Sequence, residues 1–161
     1  MMEQERVAER IKASFPFVNI VFGTHVIHRL PEMMYTAVTD SKRVFLRGHE
    51  SKEIIEGLPV RRDGNTRAWV TVMYGCDNFC TYCIIPYARG HMRSKPIGDI
   101  IKETEMLVSA GHKEIVLTGI NLCCYGRDLG GLRMIDAIEA VCKVEGDFRV
   151  RLGSMEPEMI S

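Results

Sequence analysis

The first 75 residues contain no cysteine, the chain carries no net charge, and nowhere does it hold a long apolar run. Each gap closes off a class of function. Twenty-one Lys+Arg balance 21 Asp+Glu, so no global basic field is available to hold nucleic acid or an acidic membrane, and any such partner has to be met by a local patch. No apolar stretch approaches the roughly 18 residues needed to span a bilayer. The opening MMEQERVAER is too charged for a signal-peptide core, which leaves a soluble protein of a reducing, cytoplasmic compartment as the expectation. Internal repeats and low-complexity segments are also missing. What is there is globular: 46% hydrophobic, 26% charged and 7% aromatic residues argue against disorder and collagen-like structure. At 161 residues the chain has the size of one domain with a real core, or of one piece of a larger architecture.

All six cysteines lie in the remainder: Cys76, Cys80 and Cys83 close together, Cys123 and Cys124 adjacent, and Cys142 alone. An even number in a secreted chain suggests a disulfide framework with ~15 possible pairings. The uneven placement instead suits a metal site with incidental thiols. Cys123 and Cys124 read as packing thiols, since adjacent cysteines make a strained disulfide, and Cys142 reads as a core residue on the apolar side of a helix.

The pattern of apolar residues organises the chain around these positions. Val7, Ala8, Ile11 and Phe15 predict an amphipathic helix over residues 3–15, ended by Pro16. A short strand follows at 18–22, then a helix over roughly 25–38 with Thr24 as its N-cap. Residues 40–67 are polar and irregular and read as a linker. Beyond it, strands at 69–73, 114–118 and 148–152 alternate with helices at 96–110 and about 132–143. Gly111 stands at the C′ position of the first helix, and a glycine-rich loop, 125–131, leads into the second. This is the period of parallel βαβ units, with functional residues on loops after strand C-termini.

One such loop, Gly75-Cys-Asp-Asn-Phe-Cys-Thr-Tyr-Cys83, has the spacing C-x3-C-x2-C. Three thiolates on a short loop ligate three irons of a [4Fe-4S] cube and leave the fourth open to substrate or cofactor. An electron-transfer ferredoxin needs a further cysteine, and none follows nearby. The competing reading is a structural zinc site with His91 as fourth ligand, in a non-enzymatic nucleic-acid-binding module. His25 and His28, at i and i+3, suit a surface or capping role better than a metal.

The cysteine spacing, with Tyr82 just before the third cysteine, resembles the signature of radical S-adenosylmethionine enzymes. The longer string GCDNFCTYCIIPYARGHMRSKP (75–96) resembles that of the MiaB-type methylthiotransferases, as do FGTHVIHRLPEM (22–33), GLPVRRDG (57–64), KEIVLTGIN (113–121) and RVRLGSMEP (149–157). The resemblance implies an α/β fold with a partial (βα)6 barrel over residues 68–161. Residues 40–67 become a linker, and residues 1–39 the C-terminal end of a methylthiotransferase N-terminal domain. It implies a [4Fe-4S] cluster on Cys76, Cys80 and Cys83, with S-adenosylmethionine chelating the open iron and one-electron reduction cleaving it to a 5′-deoxyadenosyl radical. Tyr82 and the 119–121 turn, chiefly Gly119 and Asn121, are then expected to seat the cofactor. That turn replaces the Gly-Gly-Glu common in the superfamily. Ser154 and Glu156, after the third strand, are expected near the same pocket or in loop hydrogen bonding.

In the family, the first helix follows cysteines that hold a second [4Fe-4S] cluster. The expectation is therefore an internal fragment, inactive alone, whose parent enzyme contains that cluster. The parent is expected to act on the tRNA anticodon loop with an electron donor such as flavodoxin or ferredoxin. Its expected product is a methylthio group on C2 of N6-isopentenyl adenosine or, on the resemblance of the second half, of N6-threonylcarbamoyladenosine. Residues 61–96 carry six basic side chains against Asp63 and Asp77, a net +4. They form either a phosphate-meeting patch or a solvated face.

Overall fold

A computed structural model of the chain describes residues 5–46, 64 and 66–156. The backbone divides into two compact units, residues 1–58 with 78–90 and residues 59–77 with 91–161.

In the first unit, α1 (Glu5–Ser14) buries Ala8, with Val7 and Ile11 half-buried beside it, the spacing expected of one helix face. Phe15 lies past the helix end, edge-on to Phe17 at 5.9 Å. β1 (Ile20–Phe22) pairs in parallel with β2 (Val44–Leu46). The strand β2 falls inside the stretch expected to be an irregular linker; residues 47–63 and 65 of that stretch lie outside the described residues. Between the two strands the expected helix over 25–38 is divided. A 3₁₀ turn (Thr24–Arg29) contains Val26 at φ −114°, ψ 16°, and α2 (Leu30–Thr39) starts afresh with Pro31 in its first turn, where the missing N–H costs nothing. Arg43 ties this unit together. Its guanidinium donates to the carbonyls of Val18, Lys12 and Phe15 at 2.9, 2.9 and 3.0 Å and lies 5.0 Å over the Phe45 ring. A short helix, α3 (Ile85–Arg89), buries Pro86 and ends at Gly90. Thr24 Oγ1 donates to the Ala88 carbonyl at 3.4 Å.

The second unit is built on the parallel sheet β3 (Arg67–Thr71), β6 (Glu114–Thr118), β7 (Arg149–Leu152), in that spatial order. The helices α4 (Ile97–Ser109) and α5 (Met134–Cys142) make the two crossovers, as parallel pairing requires. Ala68, Val70, Ile115 and Leu117 point toward Ile100, Leu107, Ala137 and Val141 in one fully buried core. The buried positions of α5 are Met134, Ala137 and Val141. Cys142, expected in the core, is exposed, because it sits one residue, about 100°, around the helix from Val141.

Two short strands complete the unit. β4 (Met73–Tyr74) pairs antiparallel with β5 (Arg93–Ser94). β5 and Lys95 after it are stitched to the glycine-rich loop three times. Ser94 N donates to Asp128 Oδ2 at 2.8 Å, Gly126 N to Ser94 Oγ at 2.9 Å, and Tyr125 Oη to the Lys95 carbonyl at 2.6 Å. Gly126 is at φ +81°, and a Cβ there would run into the Leu132 carbonyl, so only glycine fits this turn. Among the described residues no helix is long and apolar enough to cross a membrane.

Candidate metal and cofactor site

The cysteine loop leaves β4 through Gly75, whose φ of +70° turns the chain away from the strand. Cys76 belongs to the second unit and is half-buried. Its neighbour Asp77 fastens the loop stem. Oδ1 lies 2.6 Å from His91 Nδ1, and Oδ2 accepts from Met92 N at 3.2 Å. His91, the fourth ligand of the zinc reading, is therefore engaged through Nδ1.

Cys80 and Cys83 belong to the first unit. A tight turn joins them, Cys83 N donating to the Cys80 carbonyl at 2.9 Å. Phe79, just before, is held at φ +47°, a conformation an aromatic residue rarely adopts. Its ring meets Tyr87 edge-on at 5.8 Å. Tyr82 is 91% exposed, so its ring is presented to solvent and is not packing the loop.

All six cysteines are free thiols. No three His, Cys, Asp or Glu side chains among the described residues are gathered into a metal-holding group. The donor set still fits an iron–sulfur cube by chemistry, since it offers three soft thiols on one loop.

At the C-terminal end of β6 the 119–121 turn is fixed by packing and hydrogen bonds. A Cβ on Gly119 would collide with the Met73 side chain and meet Leu122 Cδ2 at 3.1 Å, so this glycine is required by packing against β4. Asn121 is buried. Its Oδ1 accepts from Cys123 N at 3.2 Å and its Nδ2 donates to Glu156 Oε2 at 2.8 Å. Cys123 Sγ donates to the Glu156 carbonyl at 3.6 Å. The structure thus brings together Asn121 and Glu156, two residues 35 positions apart. Cys124 is buried, and burial pushes its thiol up. Cys76, Glu156 and Cys123 add to that shift and Arg127 opposes it. Its burial is the packing role the sequence suggested.

Two of the six basic residues of the 61–96 window are drawn into ion pairs. Arg61 and Arg62 lie outside the described residues, and Lys95 is buried against Glu103 at 2.8 Å. Arg67 stands at the start of β3, where it joins a cluster that sequence reasoning missed. Glu114, 7% exposed, meets Arg67 at 3.3 Å, Arg149 at 3.2 Å and Arg151 at 3.4 Å. Burial raises the Glu114 carboxyl, but the hydrogen bonds from Arg151 and Arg149 and the charges of Arg67 and Arg149 outweigh it and hold the group below its ordinary range. The available signal was a glutamate opening a strand whose next three residues are apolar. Asp77, next to a cysteine, was equally visible and equally unread.

Residues 70–158 match the family described as the Radical SAM superfamily. Among curated proteins, the tRNA-2-methylthio-N(6)-dimethylallyladenosine synthase of Clostridium tetani is 45% identical over 159 residues, covering 98% of this chain and 35% of that protein. The synthase of the same name from Desulforamulus reducens is 45% identical over 158 residues, with 98% and 35% covered. That of Carboxydothermus hydrogenoformans is 42% identical over 156 residues, with 96% and 36% covered. The chain spans about a third of the length of these relatives.

Proposed function

Because this chain belongs to the Radical SAM superfamily, we propose that it is part of a tRNA methylthiotransferase that acts on C2 of N6-isopentenyl adenosine beside the anticodon. The observation that carries the reading is the C-x3-C-x2-C loop of free thiols leaving β4, the short strand that follows β3 of the parallel βαβαβ unit. It stands in a chain whose similarity to the dimethylallyladenosine synthases runs from end to end. Those relatives' names favour the isopentenyl substrate over the threonylcarbamoyl one.

On this reading Cys76, Cys80 and Cys83 would hold a [4Fe-4S] cluster, and the iron they leave without a protein ligand would take S-adenosylmethionine. One-electron reductive cleavage of the sulfonium bond is the chemistry such a cluster supplies when bound. Tyr82 offers an exposed ring for the adenine. Asn121, oriented by Glu156 and the Cys123 amide, offers polar atoms to the methionine end. The Asp77 contacts to His91 and Met92 hold the stem from which Cys76 projects. Residues 68–161 form the first strands of a partial (βα)6 barrel, and residues 1–39, joined to it by the linker 40–67, are the end of a preceding methylthiotransferase domain. The whole enzyme carries a second cluster, takes its electron from a flavodoxin or ferredoxin, and works in the cytoplasm.

Anaerobic reconstitution with iron and sulfide tests the metal centre. The expected result is a brown protein with about four irons per chain, lost in the Cys76→Ala/Cys80→Ala/Cys83→Ala variant. A colourless, folded chain holding one zinc sinks the reading in favour of the zinc-stabilised module.

A further inference from the structure

We infer that Phe79 and Tyr87 are positioning residues that hold the Cys80–Cys83 turn in the form that takes up metal. Phe79 sits at φ +47°, and among the described residues it shares a positive φ with only one other non-glycine residue, Ser41. An L residue enters that region against a bias of roughly 5- to 30-fold, whereas glycine enters it freely. Glycine takes up the same region nearby, at Gly75 (φ +70°) and Gly90 (φ +73°). A phenylalanine held where glycine would fit without strain implies that the ring serves a purpose.

That ring meets Tyr87 edge-on at 5.8 Å, with 82° between the ring planes. Tyr87 is itself fixed, because α3 begins directly after the cysteine turn and is anchored at several points. Tyr87 N and Ala88 N both donate to the Ile84 carbonyl, at 3.1 and 3.0 Å, Pro86 is buried, and Thr24 Oγ1 donates to the Ala88 carbonyl. The ring contact therefore closes the chain on either side of Cys80 and Cys83, whose own turn is made by the hydrogen bond from Cys83 N to the Cys80 carbonyl. An edge-to-face pair favours this closed form by roughly 2- to 13-fold, the same order as the bias against Phe79. Loss of either ring lets the turn relax. Metal then binds only the fraction of chains that remain closed, and its apparent affinity falls by that fraction. Neither ring is part of the buried core, so truncating either leaves that core intact. The inference rests on the reading of the cysteine loop as a metal site and adds the residues that set its form before metal arrives.

The test uses the full chain without iron or sulfide. Cobalt(II), whose thiolate charge-transfer absorption reports sulfur ligation, is titrated anaerobically, and amide exchange of Cys83 is followed in the metal-free chain. Tyr87→Ala should weaken cobalt binding about fivefold and speed Cys83 exchange by a similar factor, while Tyr87→Phe, which retains the ring, should match the unsubstituted chain. Phe79→Ala keeps the unfavourable φ and loses the ring, so it should lose as much as Tyr87→Ala. Phe79→Gly loses the ring and the strain together and should bind more tightly than Phe79→Ala. That order separates positioning from packing, because a role in bulk alone makes glycine the worse of the two. Phe79→Ala/Tyr87→Ala should be no weaker than either single variant, since the rings act as one contact. Unchanged cobalt affinity in Tyr87→Ala, an equal loss in Tyr87→Phe, Phe79→Gly weaker than Phe79→Ala, or no thiolate ligation in the unsubstituted chain overturns the inference. Uptake of a brown cluster from iron and sulfide is read separately, so failure of the cluster reading is distinguishable from failure of the clamp.

Discussion

The two units hold themselves together by different means. The second encloses a core in which Val70, Ile100, Ile115, Leu117 and Val141 are fully buried. The first buries Ala8, Val21, Met33 and Pro86 among its described apolar residues, while Phe17, Tyr35 and Val38 are more than 70% exposed. Its two-stranded sheet is too small to be stable alone and relies on Arg43 collecting three carbonyls. One unit is held chiefly by area removed from water, the other by a small buried cluster, backbone pairing and the hydrogen bonds of one guanidinium.

The largest test of that contrast is Leu117→Ala. Truncating a fully buried leucine should cost about 2–5 kcal/mol. Hydrogen exchange should then rise through β3, β6 and β7 and stay unchanged in β1 and β2. Acceleration in both units would show that they open as one block and would break the comparison. Next comes alkaline pH. The Tyr125 hydroxyl is pushed up to about 12, by burial first and then by Asp128 and Asp136. The folded state therefore keeps a proton that the unfolded chain releases near pH 10. Its contribution is intact below pH 10 and is lost as pH rises through about 12, about 3 kcal/mol in all. Urea midpoints between pH 9 and 12 should fall in the second unit, with the slope removed by Tyr125→Phe. The smallest effect is Arg43→Ala, about 1–2 kcal/mol, read as faster exchange confined to β1 and β2. An equal loss in the second unit would count against the division.

What the sequence disclosed follows the same line. Elements set by apolar periodicity were legible: α1, α4, β6 and β7 all fall where Ile, Val and Leu recur at the right interval. Elements set by a partner were not. β2, β4 and β5 are two or three residues long and exist through the strands they pair with. The split of the helix at Val26 depends on backbone angles no composition reveals. Cys142 went astray because one residue of helix phase separates core from solvent. At the candidate site the cysteines were legible from spacing alone. The Asn121–Glu156 contact joins two strand ends and becomes visible only when β6 and β7 are side by side.

The stitch between β5 and the glycine-rich loop has a consequence for the order of assembly. Its three hydrogen bonds join residues 30, 32 and 34 positions apart, and the chain between them contains all of α4 and β6. Closing so long a loop carries an entropic cost that local contacts do not share. The hairpin that launches the cysteine loop is thus secured only with the neighbouring βα unit in place. The sheet pairings span 47 and 35 positions, at least as far as the stitch, so the stem of the cysteine loop is fixed together with the sheet, and a mutation such as Gly126→Ala should slow both alike.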